Sequence, residues 1–356
     1  MTRARELANL AGVSETALSN RNLVINGAAE VYQRGAATTT HNGYAVDRWQ
    51  HKGSNSTAST SNQDTDAPAP FINSIKFAAG GASSGASETA GLCQRIEGNA
   101  MTSLGWGTSA AKPATLSFYV KSSVTGTYAV SARNNGVDQS YINTYTISSA
   151  NTWEYKTVTF DARTTGTWLT TNGIGMRLWF DLGSGSNFDG TAGSWTTNNH
   201  LTVSSQADVV GTSSATWFVT GVQLEVGEQA TPFEHRSFGD ELAACQRYYY
   251  FLGQGTGSNS GDIGVGSYYN SSTLDVVVQF PVTMRSTPSL NATSGTDFYV
   301  SFRNNSSDVF NSFSIAKGSP TAVAIGNASE ASGTGGQATV IRYNNASASV
   351  GFDAEL

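Results

Sequence analysis

The residues of this chain best suited to chemistry are flat rings set beside amides and hydroxyls. Trp168 and Trp195 stand next to polar loop sequence, and Tyr268 and Tyr269 are adjacent in "GVGSYYNSS". A ring face with a neighbouring amide or hydroxyl binds a sugar without using charge. These four are therefore the candidate ligand-binding residues. The alternative use of the same rings is to fill a β core or a subunit interface. On a strand, alternation turns one of Tyr268 and Tyr269 outward and the other inward.

Other chemistries lack their spacing. No Gly-rich phosphate loop, HExxH or CxxC occurs. His41, His51, His200 and His235 are scattered without ligand spacing, so no metal or other cofactor is expected. In "DLGSGSNFDG", Asp181, Asn187 and Asp189 come nearest to a calcium loop, but the EF-hand spacing is missing. Glycoside hydrolysis needs two carboxylates flanking a cleft. Asp64 with Asp66, Asp181 with Asp189, and Glu225 with Glu228 are candidate pairs, and nothing singles one out. No catalytic residue is assigned, and the chain is read as a non-enzyme.

Composition narrows the partners. Of 356 residues, 13% are charged and 38 are Gly, with 7 Trp, 14 Tyr and 16 Phe. Few charges, many small residues and steady aromatics fit an all-β protein with many turns. The net charge is −6 and no Lys/Arg run exists to neutralise phosphates, so nucleic acid is not an expected partner. The opening "MTRARELANLAG" lacks the apolar core of a signal peptide. No apolar run approaches the roughly 20 residues of a membrane span, so membrane insertion is not expected. Two cysteines, Cys93 and Cys245, fit two separate buried thiols better than one bridge.

The elements that must position the rings follow from periodicity. Residues 2–11 read as one short helix with Leu7 and Leu10 on a face, too short to stand alone in water. Leu7 and Leu10 are therefore expected to dock on a partner. Strands follow from Asn22. "ATLSFYVKSS" sets Leu116, Phe118 and Val120 against Ser117, Tyr119 and Lys121. "GMRLWFDLG" puts Met176, Leu178, Phe180 and Leu182 on one face, and "TWFVTGVQLEVG" puts Phe218, Val222, Leu224 and Val226 on one face. Long loops at 53–70 and 183–199 are candidate working surfaces. Pro232 then ends the sheet. Ser237 reads as an N-cap, with Asp240 three residues on, of a helix that hands over to a strand near Tyr248. Beyond it, "DFYVSF" alternates Phe298, Val300 and Phe302, and "ASVGFDAEL" puts Val350, Phe352, Ala354 and Leu356 on one face.

The fold class expected is all-β: an antiparallel jelly-roll sandwich followed by a smaller β-rich tip, with a short N-terminal helix. The parts are 1–20, an N-terminal helical anchor; 21–236, the jelly roll; 237–251, a connector; and 252–356, the tip.

At "NRNLVINGAAEVYQRG", "GYAVDRW", "FYVKSSVTGTY", "NTWEYKTVTF", "TGVQLEVGEQATPFEHRSFGDELAACQRYYY" and "VQFPVTMRSTPSL", the sequence resembles tail-fibre-like virion proteins of tailed bacteriophages. It looks most like those of marine phages, including phages of cyanobacteria. The likeness covers roughly residues 21–356, and the block at 230–249 is its most specific part. The resemblance implies a homotrimeric virion protein whose jelly roll is similar to carbohydrate-binding modules. It supplies no catalytic residues. The expectation is a fibre or spike that joins other virion proteins through residues 1–20 and recognises a host surface polysaccharide. The alternatives are a purely structural head-decoration or tail-adaptor protein, and a polysaccharide depolymerase. By domain order, the tip is expected to meet the host, with the jelly-roll loops as its rival.

Overall fold

The computed structural model describes residues 20–35, 38–40, 42–53 and 59–356. The helix expected at 2–11, with Leu7 and Leu10, lies outside the described residues, as do His41 and part of the loop at 53–70. The chain divides into two compact units, one reaching to Glu241 and including Leu356, the other Leu242–Glu355. Among the described residues no helix is long and apolar enough to cross a membrane.

Among its described residues the first unit is an antiparallel sandwich of twelve strands: β1 (Tyr44–Val46), β2 (Trp49–Gly53), β3 (Ser59–Asp64), β4 (Ser74–Ala79), β5 (Ala90–Glu97), β6 (Ala114–Ser122), β7 (Gly126–Arg133), β8 (Ser140–Ile147), β9 (Glu154–Phe160), β10 (Ile174–Asp181), β11 (Trp195–Thr196) and β12 (Thr216–Val226). One sheet runs β1-β2-β5-β10-β7-β8-β11 and the other β3-β4-β12-β6-β9. This is the all-β jelly roll that the alternating sequence calls for. Met176, Leu178, Phe180 and Leu182 all face the core, as period two requires. Between the sheets, Phe180 packs against Trp49, Phe118 and Trp217 at ring separations of 6.1, 5.1 and 5.5 Å. The indole of Trp49 donates to the Asn26 carbonyl at 3.0 Å, so the polar end of a fully buried ring is satisfied.

β12 departs from the simple alternation. Its pairing with β6 slips between Thr220 and Gln223, where Gly221 takes φ +61°. One extra residue changes which side chains face inward. Trp217 and Val219 enter the core before the bulge, and Val222 and Leu224 after it. Phe218 therefore belongs to the other face, where Lys121 Nζ sits 4.3 Å from its ring.

The second unit is also β-rich and smaller. Its strands are β13 (Tyr249–Gln254), β14 (Ser260–Tyr268), β15 (Leu274–Gln279), β16 (Ser289–Ala292), β17 (Tyr299–Arg303), β18 (Ser306–Phe310), β19 (Ser314–Gly318), β20 (Ala322–Asn327), β21 (Ala338–Tyr343) and β22 (Ser349–Asp353). They form a three-stranded sheet, β13-β22-β16, and a seven-stranded sheet, β18-β17-β21-β14-β15-β20-β19. Val350, Phe352 and Ala354 are core residues, as the C-terminal alternation predicts. In β17 the phase is opposite to the expected one. Tyr299 is fully buried in the core, while Phe302 carries Arg342 at 5.1 Å over its ring. Tyr299 tolerates burial because its hydroxyl donates to the carbonyls of Thr293 and Ser349.

A helix, Phe238–Gln246, precedes β13, and its first turn is capped by Ser237, whose Oγ accepts the Asp240 N–H at 3.2 Å. Cys93 and Cys245 are both buried and form no disulfide.

Candidate functional site

Four rings proposed from sequence take different places. Tyr268 is 1% exposed, and its hydroxyl is 2.7 Å from Ser301 Oγ, so it packs the core of the second unit. Tyr269 is 81% exposed. Alternation thus turns Tyr269 to solvent and Tyr268 inward. Trp168 is 8% exposed, and its Nε1 donates to the Thr165 carbonyl at 3.2 Å. Trp195 is half-buried and donates to the Asp161 carbonyl at 3.0 Å. Both indoles pack edge-on against Trp106, at 4.8 and 5.1 Å, and plug the sandwich with it. Trp168 and Tyr268 therefore present no free ring face to a ligand. The structure places each tryptophan beside core aromatics because an indole with its N–H satisfied by a carbonyl is cheaper to bury than to expose.

One carboxylate of each nominated pair is held by donors of the chain itself. Asp66 takes the Lys121 ammonium and, at 3.1 Å, the Trp153 indole N–H. Asp181 is fully buried and accepts from Trp179 Nε1 and from the N–H groups of Gly183 and Ser184, at 3.0 to 3.1 Å. Glu225 accepts from the Thr231 N–H and hydroxyl at 2.8 and 2.7 Å. Among the described residues no group of three or more His, Cys, Asp or Glu gathers as a metal site.

The outer face of the five-stranded sheet carries a different arrangement. Tyr119 of β6 and Tyr155 of β9 are register partners, with ring centroids 5.0 Å apart. Phe71 lies 5.6 Å from Tyr119 and 5.0 Å from Phe233, and His235 stands 4.9 Å from Phe233 and 5.6 Å from Phe71. Five rings from four separate stretches of chain thus form one continuous surface. They line a groove of about 500 Å³.

The groove is built by β12. On its outer face, Gln223 and Glu225 hold the returning segment 231–234. The Glu234 N–H donates to Gln223 Oε1 at 2.7 Å, Gln223 Nε2 donates to Glu225 Oε1 at 2.9 Å, and Thr231 is tied to Glu225. That pins Phe233 and His235 over the sheet. Gly221 forms part of the floor: a Cβ there would lie 2.6 Å from Phe71 Cζ. The remaining lining is Ser117, Thr231, Ala230 and two prolines, Pro70 and Pro232. Among the described residues, no Lys, Arg, Asp or Glu lines it. Tyr155 is 49% exposed, a ring face that solvent reaches.

Such a surface attracts a ligand with flat apolar patches and many hydroxyls, and offers nothing to a charged one. Sequence alone found Ser117 and Tyr119 as outward residues of β6. It missed Phe71, Tyr155, Phe233 and His235, which only the fold brings beside them.

No family model matches this chain, and no curated protein does. Among solved structures, the chain is similar to the enzymatically active domain of tailspike protein 4 of bacteriophage CBA120, with 13% identity, 58% of this chain and 21% of that chain covered, and a TM-score of 0.31. It is also similar to a family 16 carbohydrate-binding module, with 15% identity, 57% and 99% coverage and a TM-score of 0.28. A third is the family 11 carbohydrate-binding module from Clostridium thermocellum in complex with a β-1,3-1,4-mixed-linked tetrasaccharide, with 12% identity, 56% and 100% coverage and a TM-score of 0.28. The match spans about a fifth of the tailspike's length.

Proposed function

We propose that this chain is a virion protein of a tailed bacteriophage, a tail fibre or spike, whose jelly roll binds a host surface glycan in the groove of Phe71, Tyr119, Tyr155, Phe233 and His235. The observation that carries the reading is the uncharged five-ring groove with an exposed Tyr155. Stacking on one ring contributes on the order of 1 kcal/mol. A homotrimer would multiply weak contacts by avidity. Attachment through residues 1–20 and trimer assembly belong to the same proposal and rest on the resemblance of the sequence to tail-fibre-like virion proteins. Binding rather than hydrolysis is favoured because no carboxylate among the described residues lines the groove, and cleavage needs two.

A second reading places the contact on the second unit, favoured by the 81% exposure of Tyr269. A glycan array probed with the full chain, and repeated with Tyr155→Ala and with Tyr269→Ala, separates the two. Retention of neutral glycans that Tyr155→Ala weakens supports the groove. Loss on Tyr269→Ala alone moves the site to the tip. No retention of any glycan leaves a purely structural component. Release of oligosaccharides from host polysaccharide identifies a depolymerase.

A further inference from the structure

The opposite sheet of the first unit has an outer face of contrary character. Arg177 of β10 is the register partner of Arg95 on β5 and of Arg133 on β7, so three arginines stand side by side in one row. Lys52 of β2 shares that face, opposite Gly91 of β5. Like charges directly across from one another destabilise a sheet. Here burial sharpens the cost, since Arg133 is 6% exposed. Its pKa is pulled down to about 10, chiefly by burial, with Arg177 and Arg95 adding to the effect. Arg177 and Lys52 are shifted down too, first by burial and then by the neighbouring arginines.

Among the described residues no side-chain carboxylate meets this row directly, although Cys93 and Asp181 act on Arg133 in the opposite sense to its arginine neighbours. Among the described residues none of the three arginines has a side-chain carboxylate within 4 Å. Arg133 donates to Asn199 Oδ1 at 2.6 Å and Arg177 to Asn135 Oδ1 at 3.3 Å, both neutral acceptors, while Arg95 donates to a terminal carboxylate oxygen of Leu356, which covers that end of the row. The Nε of all three is buried without a hydrogen-bond partner. A buried guanidinium N–H left unmet is costly. Beside the row, Trp179 lies 5.4 Å from the Arg133 guanidinium and is walled by Phe188 and Leu201.

We propose that Arg95, Arg133 and Arg177 form a second binding site, for an oxyanion carried by an acidic saccharide. A carboxylate or a sulfate group presents several oxygens to a planar guanidinium fork, and each arginine holds N–H groups to meet them. Bound there, the anion reduces the repulsion along the row. The site goes beyond the aromatic groove, which accepts no charge, and it stands or falls separately from it.

The test is titration calorimetry of the full chain at low salt with three probes of equal length: an oligogalacturonate, a sulfated galactan oligosaccharide and a neutral galactan oligosaccharide. Saturable binding of either anionic probe, weakened by added salt, is expected, with the neutral probe silent at this site. A uronate-only or sulfate-only response identifies the group; a response to both identifies the shared oxyanion. Arg177→Gln should weaken the anionic probe at least tenfold while raising the Tm of the unliganded chain, because the central charge of the row is gone. Arg95→Gln, at the row's more exposed end, should weaken binding too. Tyr155→Ala should leave it unchanged. Absence of saturable binding of both anionic probes at millimolar concentration overturns the proposal, as does undiminished binding by both arginine variants.

Discussion

Glu234 Oε2 accepts the backbone N–H of Asn22 at 2.9 Å, joining residues 212 positions apart. The same seam holds more. Arg236 donates to the Asn22 carbonyl at 2.6 Å and sits 3.7 Å from Glu234 and 3.6 Å from Glu241. Glu241 in turn accepts the Asn26 N–H. Asn22 also donates to the Val222 carbonyl and accepts the Leu224 N–H, both at 3.1 Å. The first strand-like run of the jelly roll and its closing segment are therefore one hydrogen-bonded latch, and the dense block around 230–241 encodes its half of it.

Arg236→Ala should open this latch. It removes two ion pairs and strands two carboxylates, Glu234 and Glu241, which are both largely covered. A loss of about 2–3 kcal/mol is expected, read as a lower midpoint in urea unfolding. Arg236→Lys should recover part of it. An unchanged midpoint for the alanine variant would show that the seam is ornamental.

Tyr155→Ala should leave the fold intact and weaken a neutral glycan roughly fivefold, as expected for losing about 1 kcal/mol of stacking. Tyr155→Phe keeps the ring and should retain most affinity. Equal losses in both variants would mean that the hydroxyl, not the ring face, makes the contact.

Asp181 predicts a pH dependence. Burial raises its pKa above the ordinary value of 3.8, against the pull of the Ser184, Trp179 and Gly183 donors. Between 3.8 and the raised value the folded chain holds a proton that the unfolded chain releases. The group's stabilisation is thus fully present below about pH 3.8 and falls as pH rises to the folded value. Urea unfolding of wild type and Asp181→Asn from pH 3 upward should show the wild-type advantage shrinking with pH, then levelling. A widening advantage would reverse the sign and refute burial as the dominant cause.

The adjacent tyrosines of the second unit should behave oppositely. Tyr268→Phe deletes a buried hydroxyl that meets Ser301 Oγ at 2.7 Å, and about 1 kcal/mol of stability should go with it. Tyr269→Ala touches an 81% exposed ring and should change stability by less than about 0.5 kcal/mol. Differential scanning calorimetry of both variants decides it.

How much of this was legible depends on where local rules hold. β10 was readable because its apolar residues keep period two without interruption. β12 was readable only in part, since a single bulge at Gly221 moves Phe218 to the outer face and Trp217 to the core. β17 misled because Tyr299 and Ser301 are polar in sequence yet fill the interior once their hydroxyls are bonded. The groove was hardest. Its rings come from positions 71, 119, 155, 233 and 235, and no pattern along the chain connects them. The arginine row is scattered in the same way over 95, 133 and 177. Register across strands makes neighbours of them, and register is set by the whole sheet.

Gly221 contributes to the groove by what it lacks. With φ at +61° and Phe71 Cζ 2.6 Å from where a methyl would stand, the position admits no side chain without strain and collision. The depth available to a ligand is thus set by a missing carbon in the strand beneath it. Rings around the rim can be exchanged for other rings and alter preference by degrees. Filling that one gap would raise the floor and misalign the strand together, so the depth of the groove and the integrity of the sheet are inherited as a single trait.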